Sequence, residues 1–207
     1  MNILMILAHP DDEVIFGWPV IQTHKNDNIS LLTLSHNRTK YGGGPENALK
    51  EVCAINKIQS LELPRLDTNF YRLPPRYEDY TLPMCIKQFK TNITQAVGMV
   101  MPDIVFTHNP MGEYGHGDHK MVFNLVAEFC FSRLLLTDIC FFNKCHLSSA
   151  HIPSIYEDYL YDTATDKQYC ELDLDWYNTM MRIYRNYDAW SWGGHDPVTE
   201  CNLYKFV

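Results

Sequence analysis

Six consecutive apolar residues, Ile3–Ala8, stop abruptly at the polar segment His9-Pro10-Asp11-Asp12-Glu13. An uninterrupted apolar run this short fits a strand buried on both faces, as happens inside a parallel sheet covered by helices. Ile29–Leu34 reads the same way, and Ile104–Thr107 is a third short run of β-branched and aromatic residues. Between them the spacing turns helical. Val14–His24 has the apolar content and length of a helix, interrupted by Gly17 and Pro19. Ala48, Val52 and Ile55 predict a helix from Glu46 to about Asn56-Lys57-Ile58. Ile86, Phe89, Ile93, Val97 and Val100 predict another that stops before Pro102. Three consecutive glycines make Thr39–Pro45 a loop. Leu66–Leu73, Ile139–Phe142 and Ile155–Tyr161 read as further strands. Met121–Leu136, apolar nearly all round, reads as a buried helix, and Tyr177, Met180, Met181, Tyr184 and Tyr187 as a core-facing helical stripe. Strands alternating with helices imply an α/β domain with a mostly parallel sheet, whose site lies at the carboxyl ends of the strands.

Composition narrows the function classes. A chain of 207 residues suits one domain, and 46% hydrophobic with 20% charged residues is globular rather than disordered. Acidic residues outnumber basic ones, 25 to 17, for a net charge of −8 without any Lys/Arg cluster, which argues against a nucleic-acid or anionic-membrane partner. Seven cysteines without a C-x-x-C pair indicate neither a zinc ribbon nor a disulfide framework, so a reducing, cytoplasmic setting is expected. The apolar N-terminal run is too short for a secretory signal. Met121–Leu136, broken by Asn124, Glu128 and Arg133, is too short to span a bilayer, so no membrane segment is expected.

Two constellations carry the chemistry. His9-Pro-Asp-Asp-Glu13 follows the first strand, and His108-Asn-Pro-Met-Gly-Glu-Tyr-Gly-His116-Gly-Asp-His119 follows the Ile104–Thr107 strand. Both fall on the carboxyl edge of the expected sheet, where sheet packing gives no reason for histidine or carboxylate. His116 and His119, three apart, share one helical face. One imidazole and one carboxylate from the first segment plus one imidazole from the second would make a three-ligand catalytic metal site with an open position. Against this, Asp11 or Asp12 taken singly could simply cap the following helix.

These two motifs resemble the LmbE/PIG-L family of zinc-dependent de-N-acetylases, which remove an N-acyl group from amino sugars or their conjugates. The resemblance implies a Rossmann-like α/β fold and a Zn2+ cofactor held by His9, Asp12 and His119. It implies Asp11 as the general base that activates water, and His116 as the group that stabilises the oxyanion or protonates the leaving amine. Asp118 would orient His116, and Tyr114 would assist the tetrahedral intermediate. Within that substrate class, the expected lack of a membrane segment points to a soluble amino sugar or nucleotide-sugar as the substrate rather than a membrane-embedded glycolipid.

Outside the motifs, Arg38 follows the second strand and could bind an anionic group of a substrate. The stretch Trp190-Ser-Trp192-Gly-Gly-His195 could stack on a sugar ring through Trp192 and His195, or strap the core. Two other readings compete. The His/Asp/His pattern also suits a non-haem Fe(II) oxygenase, although that triad usually sits in antiparallel barrels. A non-catalytic sugar-binding protein with a vestigial metal site would be favoured had Asp11 been lost.

Overall fold

The computed structural model describes residues 1–36, 43–67, 82–132, 138–142, 166–192, 197 and 199–206. In chain order its elements are β1 (Asn2–Leu7), α1 (Asp12–Ile15), α2 (Trp18–Thr23), β2 (Asn28–Thr33), β3 (Ser35–His36), α3 (Gly44–Ile55), β4 (Gln59–Ser60) and β5 (Leu66–Asp67). They continue with α4 (Leu82–Val100), β6 (Ile104–Thr107), α5 (Gly112–Gly115), α6 (Gly117–Ser132), β7 (Asp138–Phe142), β8 (Asp166–Glu171), α7 (Leu174–Asn186) and β9 (Glu200–Phe206). The large sheet has the order β4-β2-β1-β6-β7-β9-β8. Its first five strands run parallel, and β9 is antiparallel to both β7 and β8.

The alternation of β1 divides the core. Ile3, Met5 and Leu7 pack with Val14, Trp18, Leu49, Val52, Met180 and Tyr184 on one face. Leu4, Ile6 and Ala8 pack with Phe89, Ile93, Ala96, Val122 and Val126 on the other. Every residue from Ile3 to Ala8 is fully buried, which is why the run carries no polar alternation. Each of the larger side chains contributes about 1.5–3 kcal/mol on burial.

The chain leaves β1 toward β2 on one side, while β6 lies on the other. The crevice outside the carboxyl ends of β1 and β6 is therefore a topological switch point. Register Ile6↔Thr107 brings both polar segments out of the sheet at the same level. Thr107 Oγ donates to the Ile6 carbonyl at 2.9 Å and clamps this seam at its mouth.

Several expectations need correction. The helix expected over Val14–His24 is two short helices separated at Phe16–Gly17. A Cβ on Gly17 would lie 2.8 Å from Glu13 Cα, so the close approach that separates them requires glycine. The strand beyond β2 is Gln59–Ser60 rather than Leu66–Leu73. Leu66–Asp67 instead pairs with Ser35–His36 in a separate two-stranded sheet, and 68–73 lie outside the described residues. The expected strand Ile155–Tyr161 lies outside them too. The helix expected over Met121–Leu136 begins at Gly117, and Lys120, Asn124, Glu128 and Ser132 form an exposed stripe at four-residue spacing, so it is not buried all round. Tyr187, in the stripe expected to be core, is exposed, while Tyr177, Met180 and Tyr184 are buried. The antiparallel strands β8 and β9 were not expected.

The parallel sheet lends no support to the iron-oxygenase reading and its antiparallel barrel. Among the described residues, no helix is long and apolar enough to cross a membrane.

Candidate active site

Beyond β1 the chain turns at Asp11, whose φ of 94° is left-handed and unusual for a residue other than glycine. Such a conformation costs on the order of 1–2 kcal/mol and persists only where its surroundings enforce it. Here the Asp11 N–H donates to Glu13 Oε2 at 3.0 Å, and Tyr184 OH donates to Glu13 Oε1 at 2.6 Å. The turn sends two adjacent carboxylates in different directions. Asp11 stands at the N-cap position of α1 without a side-chain cap bond. Its Oδ2 instead accepts from the Ser191 N–H at 3.2 Å and from the Ser191 hydroxyl. Asp12 Oδ2 accepts the His9 N–H at 2.8 Å and lies 3.4 Å from His9 Nδ1, while Oδ1 lies 3.4 Å from His119 Nε2. Simple helix capping describes neither aspartate.

Beyond β6, Asn109 Oδ1 accepts the N–H groups of Met111 and Glu113, at 2.9 and 3.1 Å, in a tight polar turn. Gly112 and Glu113 both have positive φ, 67° and 53°, and Glu113 is fully buried. Its Oε1 accepts the Asn109 N–H at 3.0 Å, and its Oε2 meets His108 Nδ1 at 3.1 Å and His119 Nδ1 at 2.6 Å. His108 Nε2 accepts the Ala8 N–H at 2.9 Å, so His108 ties β1 to the second segment. The Glu113 contact turns His119 Nε2 toward Asp12. A carboxylate on the remote nitrogen of a histidine is the usual way a metal-binding imidazole is oriented.

His108 and Glu113 belong to the second constellation, yet the sequence suggested no role for either. The available signal was a carboxylate in a short loop between histidines. His9 Nε2 meets Asp118 Oδ2 at 2.7 Å, and the Asp118 N–H donates to His116 Nδ1 at 3.2 Å. Asp118 thus meets His116 through its backbone N–H, while its carboxylate, expected to orient His116, lies against His9. His9, His116 and His119 stand with ring centroids 4.5–5.4 Å apart.

The charges follow from this packing. Burial alone would raise the Asp12 carboxyl, but the charge of His119 and contacts with His108, His119 and His9 hold it well below the usual range. Burial would likewise depress His9 and His119. Asp118 and Asp12 instead keep His9 well above its ordinary value, and Asp12 and Glu113 raise His119 to about 9. Burial and the neighbouring His119 and His9 push His116 down to about 2, so it is neutral, with its proton on Nε2. Burial and the adjacent Asp12 lift Asp11 to about 7.

Ligand atoms of His9, Asp12 and His119 all lie within 4.8 Å of one another, and the same holds for His9, His116 and Asp118 and for His108, Glu113 and His119. Imidazole nitrogen and carboxylate oxygen suit zinc and similar divalent ions. Asp12, Glu113 and Asp118 make the cluster attract positive charge, whether proton or metal ion. The residues present therefore fit a metal. Arg38 and His195 lie outside the described residues, as does the side chain of Tyr114. Trp192 is buried, its ring edge-on to Phe16 at 5.4 Å, so it walls the core behind the histidines rather than offering an open stacking face.

The family model for PIG-L, described as GlcNAc-PI de-N-acetylase, matches residues 4–130, a span that contains both polar segments. The chain belongs to the PIG-L family. A curated relative of this PIG-L chain, uncharacterized protein L374 of Acanthamoeba polyphaga mimivirus, is 31% identical over 136 residues, 60% of this chain and 56% of that protein. The match thus spans little more than half the length of that relative. Among solved structures, a deacetylase of the teicoplanin biosynthesis pathway aligns with a TM-score of 0.65 at 12% identity, covering 99% of this chain and 97% of the other. The A40926 pseudoaglycone deacetylase Dbv21 aligns at 0.63 and 13%, covering 99% and 96%. GalB, the 4-carboxy-2-hydroxymuconate hydratase from Pseudomonas putida KT2440, aligns at 0.60 and 12%, covering 100% and 97%. At these identities the likeness of this PIG-L chain to solved structures is one of fold. That fold serves a hydratase as well as deacetylases, so the reaction has to be argued from the site.

Proposed function

We propose that the chain is a metal-dependent hydrolase that removes an N-acetyl or other N-acyl group from a soluble amino sugar or sugar conjugate, with zinc held by His9, Asp12 and His119. The observation that carries this reading is the divergence of Asp11 from Asp12. One carboxylate sits within the histidine cluster, and the next sits beside it, turned onto Ser191. The PIG-L match, and the deacetylases that share the fold, support an amide as the bond cleaved and an amino sugar as its carrier.

A divalent ion in the cluster supplies Lewis acidity, acidifying water and polarising an amide carbonyl. Asp11 takes a proton from the attacking water as its oxygen bonds to the carbonyl carbon. Asp11 suits that task by position: its carboxylate lies buried beside the cluster without being part of it, so it is free to accept the proton and later release it. Neutral His116 donates its Nε2–H to the developing oxyanion. The C–N bond then breaks as nitrogen receives the proton from Asp11, giving an amine and a carboxylic acid, whose remaining proton passes to the amine so that ammonium and carboxylate leave at neutral pH. His116 acts here as a hydrogen-bond donor, and Asp11 supplies the proton for the leaving amine.

The test is metal analysis of the purified chain, followed by acetate release from a panel of N-acetylated sugars by zinc-loaded protein. Zinc near one per chain with acetate release is the expected result. Bound metal without acetate from any sugar would favour another reaction on this fold, hydration included. Iron with oxygen consumption would overturn the hydrolase.

A further inference from the structure

Ser191 lies in the strap after α7, outside the family match at residues 4–130, and 180 positions from Asp11. It gives both of its donors to a single carboxylate oxygen. The backbone N–H reaches Asp11 Oδ2 at 3.2 Å, and the hydroxyl donates to the same oxygen. Asp11 is buried, whereas Ser191 is exposed, so the serine closes over the carboxylate from the solvent side. Neighbours fix the strap on either side. Ala189 is buried, its N–H bonded to the Tyr184 carbonyl at 2.9 Å, and Trp192 is buried against Phe16. The backbone at residue 191 is therefore set by the core rather than by the serine side chain.

From this geometry we infer that Ser191 is a positioning residue, which holds Asp11 Oδ2 with two donors and so presents Oδ1 as the oxygen that receives the water proton. The inference rests on the hydrolase reading proposed above. A carboxylate held through one oxygen at two points loses rotation about χ2, and the unheld oxygen stays at one place and angle. Proton transfer depends steeply on that placement. The donors also oppose a swing of Asp11 toward the histidine cluster, where it would compete with Asp12 for a metal. Tyr184 and Glu13 hold the backbone of the same residue through the Asp11 N–H, so the C-terminal segment steadies Asp11 at both its main chain and its side chain.

The experiment compares zinc-loaded wild type, Ser191→Ala and Ser191→Thr in steady-state acetate release, with zinc content measured for each. Ser191→Ala keeps the backbone donor and loses the hydroxyl. A fall in kcat of about 10- to 100-fold is expected, part of the 10²–10⁴ range typical of a general base. KM and zinc content should change less than about twofold, because neither substrate binding nor the metal ligands are touched. Ser191→Thr restores the hydroxyl at an exposed position with room for a methyl group, and kcat should return to within about threefold of wild type. The contact is read separately by amide hydrogen exchange, in which Asp11→Ala should speed exchange at the Ser191 N–H. Active wild type with kcat unchanged in Ser191→Ala would overturn the positioning role alone, as would an exchange rate unaltered by Asp11→Ala. Wild type that releases no acetate from any sugar of the panel would overturn the hydrolase reading and the positioning role with it.

Discussion

Asp11 and Asp12 are chemically identical neighbours, and the left-handed φ of 94° at Asp11 separates them. Asp12 faces His9, His108 and His119, whereas Asp11 faces Ser191. The two should therefore fail in different ways when neutralised at constant size. Asp11→Asn is expected to keep near-full zinc while turnover falls by about 10²–10⁴, the usual contribution of a general base. Asp12→Asn should lose zinc, and excess zinc should restore part of its activity. Zinc content and acetate release for both variants, with and without added zinc, decide the matter. Rescue of Asp11→Asn by zinc would reverse the two assignments.

At the scale of elements, the short α5 and the turn before it place one buried carboxylate between two histidines. Burial would raise Glu113, but the His108 and His119 imidazoles against its carboxylate outweigh it and hold the carboxyl at about 2 against an ordinary 4.5. A carboxyl depressed in the folded state adds stability that is fully present above about 4.5 and is lost as pH falls through about 2. The difference is on the order of 3 kcal/mol. Metal-free wild type should thus lose stability steeply between pH 5 and 2, and Glu113→Gln should show a shallower dependence over the same window. Urea denaturation at a series of pH values checks this, and equal slopes in the two proteins would refute it. At neutral pH the same variant should bind zinc more weakly, because His119 loses the contact that orients it.

For the whole molecule, the sheet order makes a crevice between β1 and β6, and the two polar segments meet there from positions about a hundred residues apart. A metal held by both segments ties the two halves of the sheet together in the folded state only. Zinc at 100 times its dissociation constant should therefore stabilise the wild type by about 2.7 kcal/mol. The thermal midpoint should rise with added zinc and fall back with chelator, and His119→Ala should abolish most of the response. A midpoint equally responsive in that variant would remove His119 from the ligand set.

The chain's local pattern carried much of this outcome. Ile3–Ala8 was legible as a strand because burial on both faces leaves an unbroken apolar run, and Ile104–Thr107 because its four residues are all β-branched or aromatic. The polar segments that end those runs were legible as one site because parallel strands share a carboxyl edge. The two-residue β4 is too short to show a period, and Asp166–Glu171 carries too many polar residues to read as a strand without its partner β9. The division of labour within the site was beyond local reading for a different reason. The direction of a side chain follows from backbone angles and distant donors, and neither leaves a periodic trace in sequence. Glu113 beneath two histidines, the Asp118 carboxylate against His9, and Ser191 over Asp11 at a separation of 180 residues exist only once the sheet and α7 have packed. Hydrophobic burial is non-directional and is recorded in composition along each element, whereas hydrogen bonds are directional and depend on which elements become neighbours.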